Sequence, residues 1–287
     1  MKQYKTYREK STIYGDEIVE EIGKHHVSTI TLDDNDRIIA SLNYDEEGNL
    51  IYSYKSEYDD NGNLIFEERN DDELGTETRE LIYEDGLLVE ENITTAESGK
   101  ERIVREYNEN GNIAVQTSYD DDGEVMEKVI YTYEDGDLAK IEYDYDGEIM
   151  PYQQFYYDDN KNVIKVTETN LDEKKLDTIN EYDDKNRLIK KVSYNEYKGV
   201  DSTDTYEYDD NGRVVYNARS SKGNSFIFRY SYLEDNILLK QDITYADGSP
   251  FMLIENTYVG RQLHETKTII YSAETGSKDI EILTREY

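Results

Sequence analysis

The sequence predicts an all-β protein built as an array of about ten β-hairpin repeats, each about 25 residues long. Three observations predict this fold class. A tyrosine and a short acidic turn recur every 24 to 26 residues from Leu32 to Tyr258. A second turn falls near the middle of each period, and apolar residues alternate with polar ones between the turns. Each period therefore holds two strands and two turns.

The turns carry the clearest local signal. Asp59-Asp60-Asn61-Gly62 is typical of a type I turn in which a final glycine adopts positive φ and an aspartate caps backbone N–H groups. The stretch from Tyr206 to Asn236 shows an acidic turn and then a Ser-Lys-Gly-Asn turn, after which the aromatic residues alternate strictly: Phe226, Phe228, Tyr230 and Tyr232. The recurring positions are Leu32, Tyr58, Tyr83, Tyr107, Tyr133, Tyr157, Tyr182, Tyr208, Tyr232 and Tyr258.

The elements follow from this pattern in chain order. Residues 1–31 and 265–287 read as N- and C-terminal caps of degraded repeats, and residues 32–264 read as the regular array. The window from Glu17 is the best helical candidate, but a strand pair is favoured there. We expect one domain, 1–287, with about 20 short strands. Strand twist should coil the open array into an elongated, twisted antiparallel sheet or spiral strip.

The composition indicates a thin, extended fold with little core. The chain has 29 Tyr, 5 Phe, no Trp and no Cys, and its formal net charge is −34. Tyrosine can cover a thin sheet with its ring while its hydroxyl stays in water. The lack of cysteine excludes disulfides, thiolate metal sites and thiol nucleophiles.

The charge and the chain start limit the classes of partner. An acidic surface repels nucleic acid and attracts basic proteins, so we expect a basic protein partner and no nucleic acid. The sequence has no 18-residue apolar run, so membrane insertion is not expected. The first residues lack an apolar signal region, which predicts a cytoplasmic protein, or an extracellular one if Met1 replaces a removed signal peptide.

The recurring Tyr-Asp-x-x-Gly-(Asn/Arg)-(Leu/Val) unit resembles the YD repeats of rearrangement-hotspot (Rhs) and teneurin proteins. Its best matches are Tyr44–Leu50, Tyr58–Leu64 and Tyr208–Val214, and looser ones are Tyr119–Val125 and Tyr182–Leu188. The looser units also resemble MORN-type repeats of some bacterial immunity proteins. The resemblance implies a hairpin-repeat strip, with an immunity function as one possibility.

No catalytic or cofactor site is predicted. The histidines, His25, His26 and His264, are expected to be solvated and lie in no recognisable nucleophile motif. Carboxylate pairs are too numerous for any pair to stand out, so we expect no enzyme. Turn carboxylates offer hard oxygen ligands for calcium, although turn capping is the favoured explanation for them. The calcium candidates are Asp59, Asp60, Asp120, Asp122, Asp209 and Asp210.

Three functional hypotheses remain open. The first is a non-catalytic binding protein, most concretely an immunity or inhibitor protein that occludes a basic toxin. The second is a structural or surface-associated repeat protein, a spacer or adhesin whose charge serves only solubility. The third is calcium-stabilised carbohydrate binding through tyrosine platforms. The evenly spaced tyrosines and carboxylates do not single out partner-binding residues.

Overall fold

The computed structural model is all-β and antiparallel, and it describes every residue except Asp146 and Leu171, with only the backbone of Asp235. Its 22 strands are joined by short turns. The strands are β1 Lys2–Tyr14, β2 Glu17–Leu32, β3 Ile38–Tyr44, β4 Leu50–Tyr58, β5 Leu64–Asp71, β6 Gly75–Glu84, β7 Leu87–Thr95, β8 Gly99–Tyr107, β9 Ile113–Tyr119, β10 Val125–Glu134, β11 Asp137–Tyr145, β12 Glu148–Tyr157, β13 Val163–Thr169, β14 Lys175–Tyr182, β15 Leu188–Tyr194, β16 Val200–Tyr208, β17 Val214–Ser221, β18 Asn224–Tyr232, β19 Leu238–Tyr245, β20 Pro250–Val259, β21 Gln262–Tyr271 and β22 Ser277–Glu286.

Two kinds of turn recur between these strands, and their sequences favour both. In the predicted five-residue turns the fourth residue has positive φ, as at Gly62 (90°) and Gly212 (79°). In the Asp-Gly turns after β6 and β10, both central residues have positive φ, which the two-residue hairpin requires. Asp85 and Asp135 are the first residues of these two turns. The prediction that turn chemistry sets the repeat is confirmed.

The contacts group the chain into two compact units. Unit 1 comprises Met1–Tyr4, Ser28–Phe155 and Glu168–Asn170, and unit 2 comprises Lys5–Val27, Tyr156–Thr167 and Leu171–Tyr287. The expected single domain 1–287, with caps at 1–31 and 265–287, stays a prediction.

Unit 1 is a meander in which consecutive strands pair. β2 pairs with β3 from Ser28↔Asn43 onward, and the order continues through β4 to β12. A register shift falls beside the turn in many hairpins, for example between Glu57 and Tyr58. Such a bulge places one extra residue on one strand and increases the local twist.

Unit 2 continues the same order from β14 to β22, and then the first strand of the chain joins it. β1 pairs with β22 from Lys5↔Glu286 to Tyr14↔Ser277, and it also pairs with β2. The expected open strip is therefore wrong, because the first and last strands of the 22-stranded sheet pair with each other. The first and last strands satisfy each other's backbone hydrogen bonds, which removes the exposed edges that an open array would carry.

The segment from Glu17, for which the sequence offered a helix or a strand pair, forms neither. It forms one 16-residue strand, Glu17–Leu32. Among the described residues, helical structure is limited to a 3₁₀ turn at Glu234–Asn236. No helix in this part of the chain has the length and apolar character needed to cross a membrane.

The sheet buries few side chains. The buried apolar residues of the described chain are Val27, Val129, Val192 and Ile243, and no large side chain is fully buried. The buried polar or charged residues outnumber them: Thr6, Thr29, Ser56, Glu67, Glu91, Thr117, Thr167, Asp204, Asn217 and Thr244. The interior is therefore organised largely by hydrogen bonds and ion pairs.

Candidate functional site

The acidic turns are closed by their own first aspartate. Asp59 Oδ1 accepts hydrogen bonds from the N–H groups of Asn61 (2.9 Å) and Asn63 (2.8 Å), and Oδ2 accepts one from Asn63 Nδ2 (2.9 Å). Asp209 makes the same bonds with Asn211 and Arg213. These bonds favour the charged carboxylate, so they lower the pKa of Asp59 and of Asp209 below the usual value.

The six calcium candidates lie in three separate turns. Asp120 Oδ1 accepts from the N–H groups of Asp122 (3.1 Å) and Glu124 (2.8 Å), so it is a cap like Asp59 and Asp209. The other three carboxylates, those of Asp60, Asp122 and Asp210, are exposed. In the described part of the chain, no group of three or more carboxylate, histidine or cysteine side chains is arranged to hold a metal ion. Calcium binding to these turns stays a prediction.

In most repeats, the tyrosine at the end of a strand is hydrogen-bonded to the start of the strand before it. The Tyr58 hydroxyl donates to the Ile38 carbonyl (3.2 Å), and the Tyr208 hydroxyl donates to the Leu188 carbonyl (2.6 Å). In each case a tyrosine at the end of one strand reaches the start of the preceding strand. The same bond is made by Tyr107, Tyr133, Tyr182, Tyr232, Tyr258 and Tyr287. The hydroxyl explains why the repeat uses tyrosine and not phenylalanine.

An arginine in three of the turns extends this fastening. Arg213 pairs with Asp209 in its own turn (2.7 Å), and its guanidinium lies 4.8 Å from the centre of the Tyr232 ring in the next repeat. Asp33, Arg37 and Tyr58, and likewise Asp183, Arg187 and Tyr208, form the same set. The most recognisable residues of the motif thus serve the fold itself.

Unit 1 contains a buried ion-pair network that crosses β5 to β8. Glu67 is only 6% exposed and Glu91 only 7%. Arg79 lies between them, with Nη1 3.3 Å from Glu91 and Nε 3.6 Å from Glu67. Arg105 Nη2 contacts Glu91 at 3.0 Å, and Arg69 Nη2 contacts Glu67 at 2.7 Å. Acidic and basic side chains therefore alternate across four neighbouring strands.

This network was not predicted from the sequence, because the charges were interpreted as a solvated surface. A signal was present: Glu67, Arg79 and Glu91 follow one another at 12-residue steps. Residues spaced by one strand and one turn can lie opposite each other, and the register indeed pairs Ser56 with Glu67 and Glu67 with Arg79. Directly paired residues point to one face of a sheet.

In unit 2 an aromatic cluster lies on β18 to β20. Phe226 lies 5.3 Å from Tyr245, 5.1 Å from Phe251 and 6.4 Å from Phe228, measured between ring centres. Tyr245 and Phe251 meet edge to face at 5.5 Å. These distances lie in the range preferred by aromatic pairs.

Unit 2 also holds a half-buried carboxylate, that of Asp177, between two lysines. Lys198 Nζ lies 2.9 Å and Lys165 Nζ 3.2 Å from it, and the Thr167 hydroxyl donates to it at 2.8 Å. Burial alone would raise the pKa of Asp177, but the hydrogen bonds from Lys198, Thr167 and Lys165 outweigh it and lower that pKa to about 2.

The predicted solvated histidines are only partly so. His25 and His26 are half-buried, and the His26 ring lies 5.5 Å from that of Tyr7. His25 Nδ1 is 3.0 Å from the Gly23 carbonyl oxygen. These contacts are those of structural side chains.

Unit 2 also has a solvent-open pocket of about 520 Å³. Its polar groups are mostly engaged with each other. The Thr12 hydroxyl donates to Asp279 at 2.8 Å, and Glu281 lies 3.1 Å from Arg8 and 4.0 Å from Lys10.

The two units differ strongly in charge. Unit 1 carries 10 Lys and Arg against 37 Asp and Glu, a net charge of −27, whereas unit 2 carries 22 against 29, a net charge of −7. The basic residues of unit 1 are largely used in its own ion pairs, such as those of Arg69, Arg79, Arg102, Arg105 and Lys128. Unit 1 therefore presents an excess of unpaired carboxylates.

Comparison with known proteins assigns no family. No family model matches the chain, and no curated protein matches it. A crystal structure of TcdB2-TccC3-Cdc42 aligns with 87% of this chain at 12% identity and a TM-score of 0.32, and this chain spans 18% of the length of that one.

Two porin-like proteins are similarly distant. The one from Bacteroides uniformis aligns over 98% of this chain and 96% of its own, at 11% identity and a TM-score of 0.30. The one from Bacteroides vulgatus aligns over 88% and 98%, at 11% identity and a TM-score of 0.28. Likenesses of this strength carry no functional argument, and the YD or MORN-type identity of the repeat stays a prediction.

Proposed function

We propose that this chain is a non-catalytic protein-binding protein whose unit 1 engages a basic surface on a protein partner. The observation that carries the proposal is the net charge of −27 in unit 1, together with the use of its basic side chains in internal ion pairs. Solubility alone would be served by a modest net charge spread over the whole molecule. A surplus concentrated in one unit favours recognition.

The proposed mechanism is electrostatic steering followed by close docking. A surface with one sign of charge accelerates encounter with an oppositely charged partner, and the gain falls steeply as salt is added. The carboxylates of the turns are suited to this role because the caps fix the turn backbone. Asp60, for example, is exposed in the turn whose backbone N–H groups are capped by the Asp59 carboxylate.

The most concrete version is an immunity or inhibitor protein that occludes the active site of a secreted toxin. An enzyme that cleaves nucleic acid must offer a basic cleft to the phosphate backbone. A rigid, strongly acidic surface can occupy such a cleft. The resemblance of the repeat to YD and MORN-type units supports the same setting, and the reaction itself would belong to the toxin.

The test is capture from the lysate and secretome of the source organism at low salt, with the full chain as bait, followed by elution with salt. We expect a basic protein whose association rate with the bait falls steeply between low and physiological salt. The bait should also suppress its toxicity.

Two results would contradict the proposal. Capture of partners at rates independent of salt would remove the steering mechanism. Capture of no basic protein would favour the alternative, a structural or surface-associated repeat protein whose charge serves only solubility.

A further inference from the structure

The exposed apolar side chains of unit 1 are not spread evenly over its turns. Val125 and Met126 are each 58% exposed, Tyr145 is 46% and Ile149 47% exposed. All four lie at the connections after β9 and β11. The other exposed large apolar residues of unit 1 lie elsewhere: Met1 at the start of the chain, Ile38 at the start of β3, Leu50 at the start of β4, Leu74 in the turn after β5 and Ile82 in β6.

The strand register brings these four residues to one place. β10 begins at Val125 and pairs with β11, as shown by Val129↔Tyr143. β11 ends at Tyr145 and pairs with β12, where Asp144 lies opposite Ile149. Three neighbouring strands thus end together, and we call Val125, Met126, Tyr145 and Ile149 the β10–β12 patch.

An aromatic cluster supports the patch from within unit 1. The Tyr145 ring lies 5.9 Å from the Tyr143 ring, which in turn lies 5.0 Å from the Tyr152 ring. Side chains held by such contacts lose little freedom when a partner covers them, which favours tyrosine at binding hot spots.

Carboxylates surround the patch. Exposed acidic side chains are the direct chain neighbours of its members: Glu124, Glu127 and Glu148. Two more, those of Asp121 and Asp122, lie in the turn that leads into Val125. Two cations near the patch have acidic partners of their own: Lys128 lies 3.0 Å from Asp144, and Arg102 lies 2.9 Å from Glu90. An apolar centre with a charged rim is the usual arrangement of a protein interface.

We infer that the β10–β12 patch is the docking surface for a basic protein partner, which places an apolar side chain between its own lysines or arginines. The inference rests on the proposed function and assigns it a location. Charge complementarity selects the partner, because five carboxylates rim the patch. Four of the nine exposed large apolar residues described in unit 1 converge at this surface, which distinguishes it from the rest of the acidic unit.

The test uses two synthetic helical peptides of equal length and charge, one of lysine and leucine and one of lysine and serine. The full chain should bind the lysine–leucine peptide about tenfold more tightly at physiological salt, a difference of about 1.4 kcal/mol. The variant Val125→Ser/Met126→Ser/Ile149→Ser should bind both peptides equally. The matched control, Leu50→Ser/Leu74→Ser/Ile82→Ser, changes three exposed apolar residues of unit 1 outside the patch and should keep the preference.

The absence of cysteine allows a second readout that does not depend on these triple variants. A fluorophore on Met126→Cys should change its emission when the lysine–leucine peptide is added, and one on Ile82→Cys should not. A patch variant that keeps the tenfold preference, or equal responses of the two labels, would overturn the location. If neither peptide bound, or if the binding of both were independent of salt, the proposed function would be overturned as well.

Discussion

Units 1 and 2 share one repeat but differ in what the repeat encloses. In unit 1 the space between strands is crossed by the Glu67–Arg79–Glu91 ion pairs, and the net charge is −27. In unit 2 the Phe226 aromatic cluster lies between strands instead, and the net charge is −7. The tyrosine–carbonyl bond occurs in both units.

The difference shows which part of the repeat is structural and which part is free to vary. Turn aspartates, positive-φ residues and the strand-ending tyrosine set the backbone, so they recur throughout. The positions in the middle of each strand can hold an ion pair or an aromatic ring, provided that buried charges are paired. Surface charge is set independently, and unit 1 uses that freedom most.

The largest expected effect comes from breaking the ion-pair network of unit 1. Glu91→Gln removes the carboxylate that Arg79 and Arg105 share. Arg79 keeps Glu77 at 2.8 Å, so the loss falls mainly on the mostly buried Arg105, and removing one partner of a buried ion pair costs about 3 kcal/mol of the free energy of unfolding. Chemical denaturation followed by circular dichroism measures it, with the exposed Glu109→Gln as control. An unchanged midpoint for Glu91→Gln would mean that the network does not hold unit 1 together.

A smaller effect is expected in unit 2, and it depends on pH. The folded-state pKa of Asp177 is about 2, below its unfolded value of 3.8. The carboxylate therefore contributes stability above pH 4 that is lost as the pH falls toward 2. The free energy of unfolding of the wild type should exceed that of Asp177→Asn by about 2 kcal/mol at pH 6 and converge with it near pH 2. A difference that stays constant over this range would contradict the assignment.

The smallest effect should be equal in the two units. Tyr58→Phe in unit 1 and Tyr208→Phe in unit 2 each remove one hydroxyl-to-carbonyl hydrogen bond, which is worth about 1 kcal/mol. Tyr197→Phe, at an 81% exposed position, should leave the unfolding midpoint unchanged. If only one of the two tyrosine variants were destabilised, the bond would not be a general element of the repeat.

The sequence predicts the local parts of this fold well. The turn at Asp59–Asn63 and the tyrosine before it could be predicted from the sequence, because side-chain caps and positive-φ glycines act within a few residues. The pairing of the first and last strands could not be predicted, since no local signal links Lys5 to Glu286. The strand Glu17–Leu32 was also ambiguous, because its pattern of polar residues fits either a helix or a strand.

The candidate surface was predictable only as a net charge. Its location depends on which strand ends meet and on which lysines and arginines are already paired. Arg105, for instance, forms an ion pair with Glu91, and the strand register determines that contact. Likewise, the exposure of Met126 beside Tyr145 follows from the tertiary arrangement of three strands.

The most direct test of the central claim compares charge removal in the two units. Each variant changes four exposed carboxylates to amides, and the rate measured is the association of the captured basic partner at several salt concentrations. The unit 1 set is Asp60, Asp121, Asp122 and Glu124, and the unit 2 set is Asp159, Glu173, Asp184 and Asp210. We predict that the unit 1 variant associates more slowly and with a weaker salt dependence, while the unit 2 variant resembles the wild type. Equal slowing by the two variants would contradict the claim that unit 1 is the recognition surface.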